Sequence, residues 1–273
     1  MNHPLTEVPV TPRQLTLTDG SIAYDVIGQP AGPLVVCVHG LGDTRASYRF
    51  LAPALAATGH RVATMDVRGH GDSSADWPAY STPAVADDIT ALIHHLGGPA
   101  VVVGHSFAAG SAAMVAERSP ELVEGLVMLG PAVHHPPMGF FIRQMARLVA
   151  SSPLLWTRYY ASLHPGAKPA DFREYTTGLK TKLRRPGRML PVRRLLESFS
   201  PDTDADLSRV TTPTTIIMGG RDGDFDDPSA EAARIRDELA GPGTVHVLKT
   251  SGHYPHVDDA KATNTIVNDF LAK

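Results

Sequence analysis

The sequence has very little cysteine. Cys37 is the only cysteine among 273 residues, so no disulfide can form within the chain. It lies in an apolar run, which predicts a thiol buried in the core. A chain without disulfides fits a reducing compartment and excludes a small secreted scaffold held together by disulfide bonds.

Long hydrophobic runs are also missing. No window approaches the ~18 uninterrupted apolar residues that a membrane-spanning helix needs. Residues 1–12 contain three prolines and a glutamate but no apolar segment of the kind found in a signal peptide. We therefore expect a soluble, cytoplasmic protein that has no membrane partner.

The chain has no excess of positive charge. Its net charge is −3, which gives no electrostatic support to a nucleic-acid partner. With 42% apolar and 19% charged residues, the composition is that of an ordinary globular protein. The length suits one large α/β domain or two small ones, and nothing in the sequence indicates the oligomeric state.

The sequence does contain a regular alternation of strand and helix patterns. Residues 13–19 and 22–28 predict an antiparallel hairpin with its turn at Asp19-Gly20. The later predicted strands are residues 34–38, 61–65, 101–104, 125–129, 214–218 and 244–248; the predicted helices include residues 46–58, 82–96, 230–239 and 260–271. Such alternation predicts a mostly parallel sheet with right-handed crossovers.

Residues 134–210, which we call the cap segment, interrupt this alternation. They show no strand pattern and contain short helical pieces separated by prolines. Residues 134–209 hold 13 Lys and Arg against 6 Asp and Glu, a net of +7, which leaves −10 for the rest of a chain at −3. We therefore predict a core domain made of residues 1–133 and 211–273, with residues 134–210 as an inserted helical cap.

A possible nucleophile lies between a strand and a helix at residues 101–110. Three valines and Gly104 lead directly to Ser106, and small residues follow it. This order predicts a strand, a sharp turn that exposes a serine hydroxyl, and a helix packed close to the strand. The usual pattern is Gly-x-Ser-x-Gly, and here Ala108 stands at the last position.

Candidate partners for Ser106 follow two later strands. Asp222 comes directly after the strand at 214–218, and His253 follows the strand at 244–248. Open α/β sheets place their sites at such strand ends, and a nucleophilic serine needs both a base and a carboxylate that orients the base. Asp224 is the alternative carboxylate. A calcium loop over these aspartates is excluded because the twelfth position is Ala233 and not glutamate.

Four segments together resemble the α/β-hydrolase superfamily over nearly the whole chain. Residues 39–42 (HGLG) are similar to its oxyanion loop, and residues 66–73 (DVRGHGDS) to its D-x-R-G-H-G-x-S segment. Residues 219–222 (GGRD) resemble its acid turn, and Gly252-His253 its catalytic Gly-His. The resemblance implies an α/β-hydrolase fold, with a mostly parallel eight-stranded sheet flanked by helices and an inserted helical cap.

The resemblance also implies roles for particular residues. Ser106 would be the nucleophile, His253 the general base and acid, and Asp222 the orienting carboxylate. The backbone N–H groups of Leu41 and Phe107 would form the oxyanion hole. We expect neither a metal nor a cofactor.

Substrate-binding residues are predicted around this centre and in the cap segment. They are His39, Gly40, His134, Phe140, Trp156 and Tyr159, with Phe141, Met145 and Tyr160 as further candidates for a pocket lining or for the interior of the cap. A group of arginines, Arg184, Arg185, Arg188, Arg193 and Arg194, forms either a solvated basic face or a surface that attracts anionic substrates.

The leading functional hypothesis is a serine hydrolase that cleaves a small carboxylic ester or lactone through an acyl-enzyme. Members of the superfamily also include carbon–carbon bond hydrolases and cofactor-free haloperoxidases or perhydrolases, which remain alternatives. An epoxide hydrolase or dehalogenase would carry aspartate at position 106. An alternative of another class is a receptor-like protein that binds a small molecule with little turnover.

Overall fold

The computed structural model describes residues 13–273. Residues 1–12, where the sequence predicts no signal peptide, lie outside the described part of the chain. Eight strands form one open sheet in the order β1-β2-β4-β3-β5-β6-β7-β8. The strands are β1 (Arg13–Leu17), β2 (Gly20–Gly28), β3 (Leu34–Val38), β4 (Arg61–Met65), β5 (Ala100–His105), β6 (Val123–Leu129), β7 (Thr214–Gly219) and β8 (Gly243–Leu248).

Only the hairpin edge of this sheet is antiparallel. β1 pairs with β2 and β2 with β4 in antiparallel fashion, whereas β4, β3, β5, β6, β7 and β8 are parallel. The mostly parallel eight-stranded sheet predicted from the sequence is confirmed.

Helices follow most of the parallel strands. They are α1 (Leu51–Ala57), α2 (Thr82–Leu96), α3 (Phe107–Arg118), α4 (Phe140–Val149), α5 (Pro153–Ser162), α6 (Phe172–Leu183), α7 (Met189–Glu197), α8 (Pro228–Glu238), α9 (Pro255–Asp258) and α10 (Ala260–Leu271). Ser81 caps α2 by accepting a hydrogen bond from the Ala84 N–H, with proline at the start of the helix, as its sequence predicts.

The helices cover both faces of the sheet. Alternate residues of a strand point to opposite faces, so Val36 and Val38 join a core with α2, α3 and α8. Val35 and Cys37 join a second core with α1 and α10. Cys37 is fully buried there, as predicted, and burial raises the pKa of its thiol.

The strand order changes direction between β3 and β5. From β3 the chain crosses to β4 on one side, and then returns to place β5 on the other. The loops after β3 and β5 therefore separate at the carboxyl ends of these strands and leave a crevice where sites form in such sheets. Residues 39–42 and Ser106 occupy these two loops.

Two local predictions were wrong. The hairpin turn is Thr18-Asp19, one residue earlier than expected, and Gly20 is the first residue of β2. Gly20 leaves room for a ring, since a Cβ there would lie 2.9 Å from Cζ2 of Trp77. The helix predicted over 46–58 is divided into a 3-10 turn at Arg45–Tyr48 and helix α1, because Pro53 is tolerated only in a first helical turn.

The cap segment lies between β6 and β7 and contains α4 to α7. Residues of α5, α6 and α7 share a third apolar core with Tyr254 and Val257, which follow β8. The cap segment therefore packs over the loops at the carboxyl end of the sheet. Among the helices of residues 13–273, none is long and apolar enough to cross a membrane.

Candidate active site

Ser106 occupies a strained turn between β5 and α3. Its backbone has φ 57° and ψ −129°, and it is the one non-glycine residue with positive φ among residues 13–273. Such strain persists only where neighbouring contacts impose it. The Ser106 N–H donates to the carbonyl of Leu129 on β6 (3.0 Å), and the Ser106 carbonyl accepts from the N–H of Ala109 (3.0 Å).

Close packing of the strand against the helix requires glycine at 104. A Cβ there would lie 2.6 Å from the carbonyl oxygen of Ala108 and 2.7 Å from Cα of Ala109. Ala108 itself is fully buried in the core that α3 shares with the sheet. The core therefore accommodates the alanine that departs from the usual pattern, whereas Gly104, two residues before Ser106, has no room for a side chain.

His253 and Asp222 form a buried hydrogen-bonded pair. His253 Nδ1 lies 2.7 Å from Asp222 Oδ2, and both side chains are almost fully buried. Asp222 lies in the turn after β7, and the N–H of His253 donates to the carbonyl of Leu163 in the cap segment. His105 Nε2 lies 2.9 Å from the His253 carbonyl, so the residue before Ser106 also holds the histidine backbone.

Asp224 approaches the other nitrogen of the same ring. Its Oδ2 lies 3.7 Å from His253 Nε2, and its side chain is partly exposed. Asp222 and not Asp224 therefore stands at Nδ1. Burial lowers the pKa of His253, but the negative charges of Asp222 and, less strongly, Asp224 outweigh it and raise this pKa to about 9.

The loop after β3 lies against Ser106. A Cβ on Gly40 would be 3.0 Å from Cβ of Ser106 and 2.6 Å from Nδ1 of His105. Leu41 and Phe107 both line the cavity described below, and Phe107 is the first residue of α3. First-turn N–H groups of a helix lack intrahelical partners and carry partial positive charge. The Phe107 amide is thus suited to stabilise a negatively charged oxygen.

His39 stabilises this loop through two hydrogen bonds to backbone groups. Its Nε2 accepts a hydrogen bond from the Val67 N–H (3.0 Å), so its Nδ1 donates to the Gly40 carbonyl (2.7 Å). Burial, and then the nearby His70, lower its pKa well below the ordinary value. His39 and Gly40 were predicted to bind substrate; neither lines the cavity, and both lie in the loop that carries Leu41.

A mostly apolar cavity opens at Ser106 between the sheet and the cap segment. Its volume is about 470 Å³, within the size range of small-molecule sites. It is lined by Leu41, Ser106, Phe107, Ala132, His134, His135, Pro136, Met138, Ile142, Ala146, Val149, Trp156, Tyr159, Tyr160, Leu163, Leu196, Phe199, Asp224, His253 and Tyr254.

Two predicted cap residues line this cavity and also bond to the core. Trp156 Nε1 donates to the carbonyl of Gly42 (3.0 Å), and Gly42 has φ +65° with no room for a Cβ beside the indole. The Tyr159 hydroxyl donates to Asp224 Oδ1 (2.7 Å). Helix α5 is thereby connected both to the loop that carries Leu41 and to the carboxylate beside His253.

His134 lines the cavity, but its polar atoms are engaged elsewhere. Nδ1 lies 2.7 Å from Glu231 Oε1 and Nε2 2.7 Å from Glu238 Oε2, both on α8. Its ring thus contributes a surface to the cavity while it fixes the start of the cap segment to the core.

Phe140, which was predicted to bind substrate, is 61% exposed and lies outside the cavity lining. Phe141 and Met145 are also exposed and outside the lining, whereas Tyr160 lines the cavity. A helical pattern shows which residues share a face but does not show which way that face points.

The arginines of α7 and the preceding turn do not reach the cavity. Arg185 pairs with Asp72 (3.1 Å), and Arg188 donates to backbone carbonyls of residues 69 and 73. Arg193 faces Glu197 (3.9 Å). Contacts with the core therefore account for Arg185 and Arg188, and a contact within α7 accounts for Arg193.

The sequence did not predict two aromatic residues of the lining, Phe199 and Tyr254. Phe199 stacks on His135 and lies 5.5 Å from the ring of Phe107, while Tyr254 lies beside His105 and His253. Tyr254 follows the candidate base directly, which is a signal that could have been used. No motif marks Phe199, because only the path of the cap segment in the folded protein brings this residue to the site.

Known proteins resemble this chain in sequence and fold. The model of the alpha/beta hydrolase family matches residues 35–266. The sn-1-specific diacylglycerol lipase ABHD11 of Xenopus tropicalis is 36% identical over 253 residues, covering 87% of this chain and 77% of that protein. The mouse protein of the same name is 28% identical over 271 residues, covering 92% and 85%.

A solved structure, that of a membrane phospholipase A described as a bacterial virulence factor, shares the fold. It has a TM-score of 0.83 and 22% identity, and the match covers 96% of this chain and 86% of that one. The sequence match of the family model includes strands β4 to β8, most of β3, and Ser106, Asp222 and His253. The chain therefore belongs to the alpha/beta hydrolase family.

Proposed function

We propose that the protein is a serine hydrolase that cleaves a carboxylic ester or lactone with an apolar acyl group through an acyl-enzyme. One observation carries the proposal: the strained Ser106 and His253, whose Nδ1 is bonded to the buried Asp222, line the same apolar cavity of about 470 Å³. A nucleophile, a base and its orienting carboxylate are the groups that acyl transfer requires.

In the first half of the reaction, neutral His253 takes the proton of Ser106 through Nε2 as Oγ attacks the ester carbonyl. The carbonyl oxygen becomes an oxyanion, which the N–H groups of Leu41 and Phe107 stabilise. Asp222 holds Nδ1 and stabilises the imidazolium. The tetrahedral intermediate then expels the alcohol, which receives the proton from His253, and leaves an ester on Ser106.

In the second half, water replaces the alcohol. His253 takes a proton from the water, and the resulting hydroxide attacks the acyl carbon. When the intermediate collapses, the proton returns to Oγ of Ser106 and the carboxylic acid leaves. For a lactone, the alcohol and acid are parts of one product.

The lining of the cavity supports an apolar acyl group. Side chains from Ile142, Val149, Leu163, Leu196 and Phe199 surround the space above Ser106. Each buried methylene contributes about 0.8 kcal/mol, so kcat/KM should rise about fourfold per methylene until the cavity is filled. The lipase activity named for the ABHD11 relatives supports the same class of substrate.

The test is hydrolysis of p-nitrophenyl acetate, butyrate, hexanoate and octanoate, with fluorophosphonate labelling of the serine. We expect turnover that increases with chain length and labelling of one site. Ser106→Ala should abolish both. Ser111→Ala is the matched control, because this buried serine on the same helix bonds only to the Thr82 carbonyl and lies outside the cavity lining.

Other outcomes would favour the alternatives. Absence of turnover and of labelling in a folded protein would contradict the proposal and favour a small-molecule receptor. Peracid formation from acetate and peroxide that exceeds ester hydrolysis would favour a perhydrolase. Cleavage of a vinylogous diketone without ester turnover would favour a carbon–carbon bond hydrolase.

A further inference from the structure

The exposed large apolar side chains of residues 13–273 are concentrated in one segment. All of them lie between positions 138 and 159: Met138, Phe140, Phe141, Ile142, Met145, Leu148, Leu154 and Tyr159. Exposed apolar residues are normally scattered singly, and a contiguous patch marks a surface that meets a partner or a membrane.

Helix α4 carries most of this patch. Seven of its ten residues are apolar, and none of them is buried. An amphipathic helix ordinarily turns its apolar side toward the core. Here much of that side faces away from the protein, and Phe141 is 82% exposed.

The apolar side of α4 consists of two adjacent stripes. Ile142, Ala146 and Val149 line the cavity above Ser106. Phe141, Met145 and Leu148, spaced by four and three residues, form a second stripe that points outward, which we call the outer stripe. Because no polar residue separates the stripes, an apolar surface runs from the exterior of α4 into the cavity.

Cations lie on the same two helices as the outer stripe. Arg143 is exposed on the polar side of α4, where Arg147 pairs with Glu197 (2.7 Å), and Arg158 is exposed one turn after Leu154 on α5. The cap segment as a whole carries +7 over residues 134–209, against −10 for the rest of the chain. Apolar side chains bordered by arginines fit an anionic lipid surface, where the charges meet headgroups and the apolar groups enter the acyl layer.

We propose that the outer stripe of α4 docks on an anionic lipid surface and that apolar esters enter the cavity from that surface. Docking depends only on the outer stripe and its arginines, whereas the entry of esters rests on the function proposed above. This differs from the sequence-based expectation of no membrane partner, which addressed spanning helices and not a helix that lies in the interface.

A second copy of the chain fits the stripe less well. A two-fold dimer would place the same surface of both subunits together, and therefore two positively charged cap segments against each other. A stable interface also needs about 800 Å² from each partner, which a helix of ten residues does not offer alone.

The test is co-sedimentation of the full chain with vesicles of phosphatidylcholine alone and with 30% phosphatidylglycerol. We expect binding to the anionic vesicles that weakens with salt. The double variant Phe141→Asp with Met145→Asp should reduce the partition coefficient by at least about tenfold, since two apolar groups are lost and two negative charges are added.

A control with the same change in charge separates the stripe from the net charge. Thr177→Asp with Thr265→Asp places the two charges at exposed positions of α6 and α10, and should leave most of the binding intact. Equal binding by the two double variants would overturn the proposal. So would dimerisation through α4, detected by light scattering, without vesicle binding.

The two proposals fail in different ways. Hydrolysis of soluble p-nitrophenyl butyrate should be unchanged in the Phe141/Met145 variant, because neither residue lines the cavity. If the unaltered chain binds vesicles but does not hydrolyse esters, only the proposed hydrolase activity is contradicted. Turnover without stripe-dependent binding would contradict only the docking.

Discussion

Helices α3 and α4 are similar in length and differ in what surrounds them. Ten of the 12 residues of α3 are buried, including small residues that let it approach the sheet, whereas α4 has no buried residue. Helix α3 therefore serves to hold Ser106 and the Phe107 amide in place. Helix α4 keeps its apolar surface available to the cavity and to the exterior.

This contrast extends to the two parts of the molecule. In the core, the active groups stand at strand ends, and their positions follow from backbone packing. In the cap segment, Trp156 and Tyr159 each donate one hydrogen bond to a residue of the core, to Gly42 and Asp224 respectively. Substitutions at the tightly packed strand–helix contacts of the core should therefore mainly affect folding, whereas substitutions of cap residues that bond to the site loops should mainly affect catalysis and binding.

The largest expected effect is a loss of folding stability when Gly104 is replaced. Gly104→Ala should lower the free energy of unfolding by about 3 kcal/mol, since its Cβ would overlap backbone atoms of α3. Gly178→Ala on α6 is the matched cap variant: no atom lies within 4 Å of a Cβ there, and the helix should gain about 0.5–1 kcal/mol. Urea unfolding measures both, and equal effects would contradict the contrast between the two regions.

A smaller effect is expected at Trp156. Trp156→Phe removes the hydrogen bond to the Gly42 carbonyl and loosens the loop that carries Leu41. A hydrogen bond of this type is worth about 0.5–1.5 kcal/mol, so kcat should fall about two- to tenfold. Because Leu41 is proposed to act on the oxyanion, KM should change little. A change in KM alone would instead indicate a role only in the pocket wall.

The smallest effect is a shift in pH dependence through Asp224. With the pKa of His253 raised to about 9, kcat/KM should increase with pH and reach half its maximum near that value, because the base must be neutral. Asp224→Asn removes one of the charges that raise this pKa, so the rising limb should move to lower pH. Activity against pH for a soluble ester measures the shift.

The outcome that would refute this role is an unchanged profile or a shift to higher pH. Tyr159→Phe serves as a control for structural loosening, because it removes the hydroxyl that bonds to Asp224 while it retains the carboxylate. The Tyr159→Phe variant should therefore keep the rising limb of its kcat/KM profile at the same high pH as the unaltered protein.

Much of the core could be predicted because its patterns are local. Buried strands are apolar runs rich in valine, and small side chains follow Phe107 in the helix after Ser106. The errors were local as well. Gly20 resembles a turn residue but makes room for Trp77, and Pro53 shortened the helix that precedes β4.

The cap was less predictable. Phe140, Phe141 and Met145 share helical spacing with Ile142 and Val149, yet only the latter two line the cavity. His134 was expected near the site and lies there, but its bonds to Glu231 and Glu238 depend on α8, almost 100 residues later in the chain.

The sequence by itself determined the order of strands and helices and the position of Ser106 between a strand and a helix. Those features depend on side-chain periodicity and on the size of neighbouring residues, which are properties of short segments. Only the tertiary structure decided that Asp222, and not Asp224, meets His253 Nδ1, and which stripe of α4 faces outward. Both depend on how distant segments are placed against each other in space.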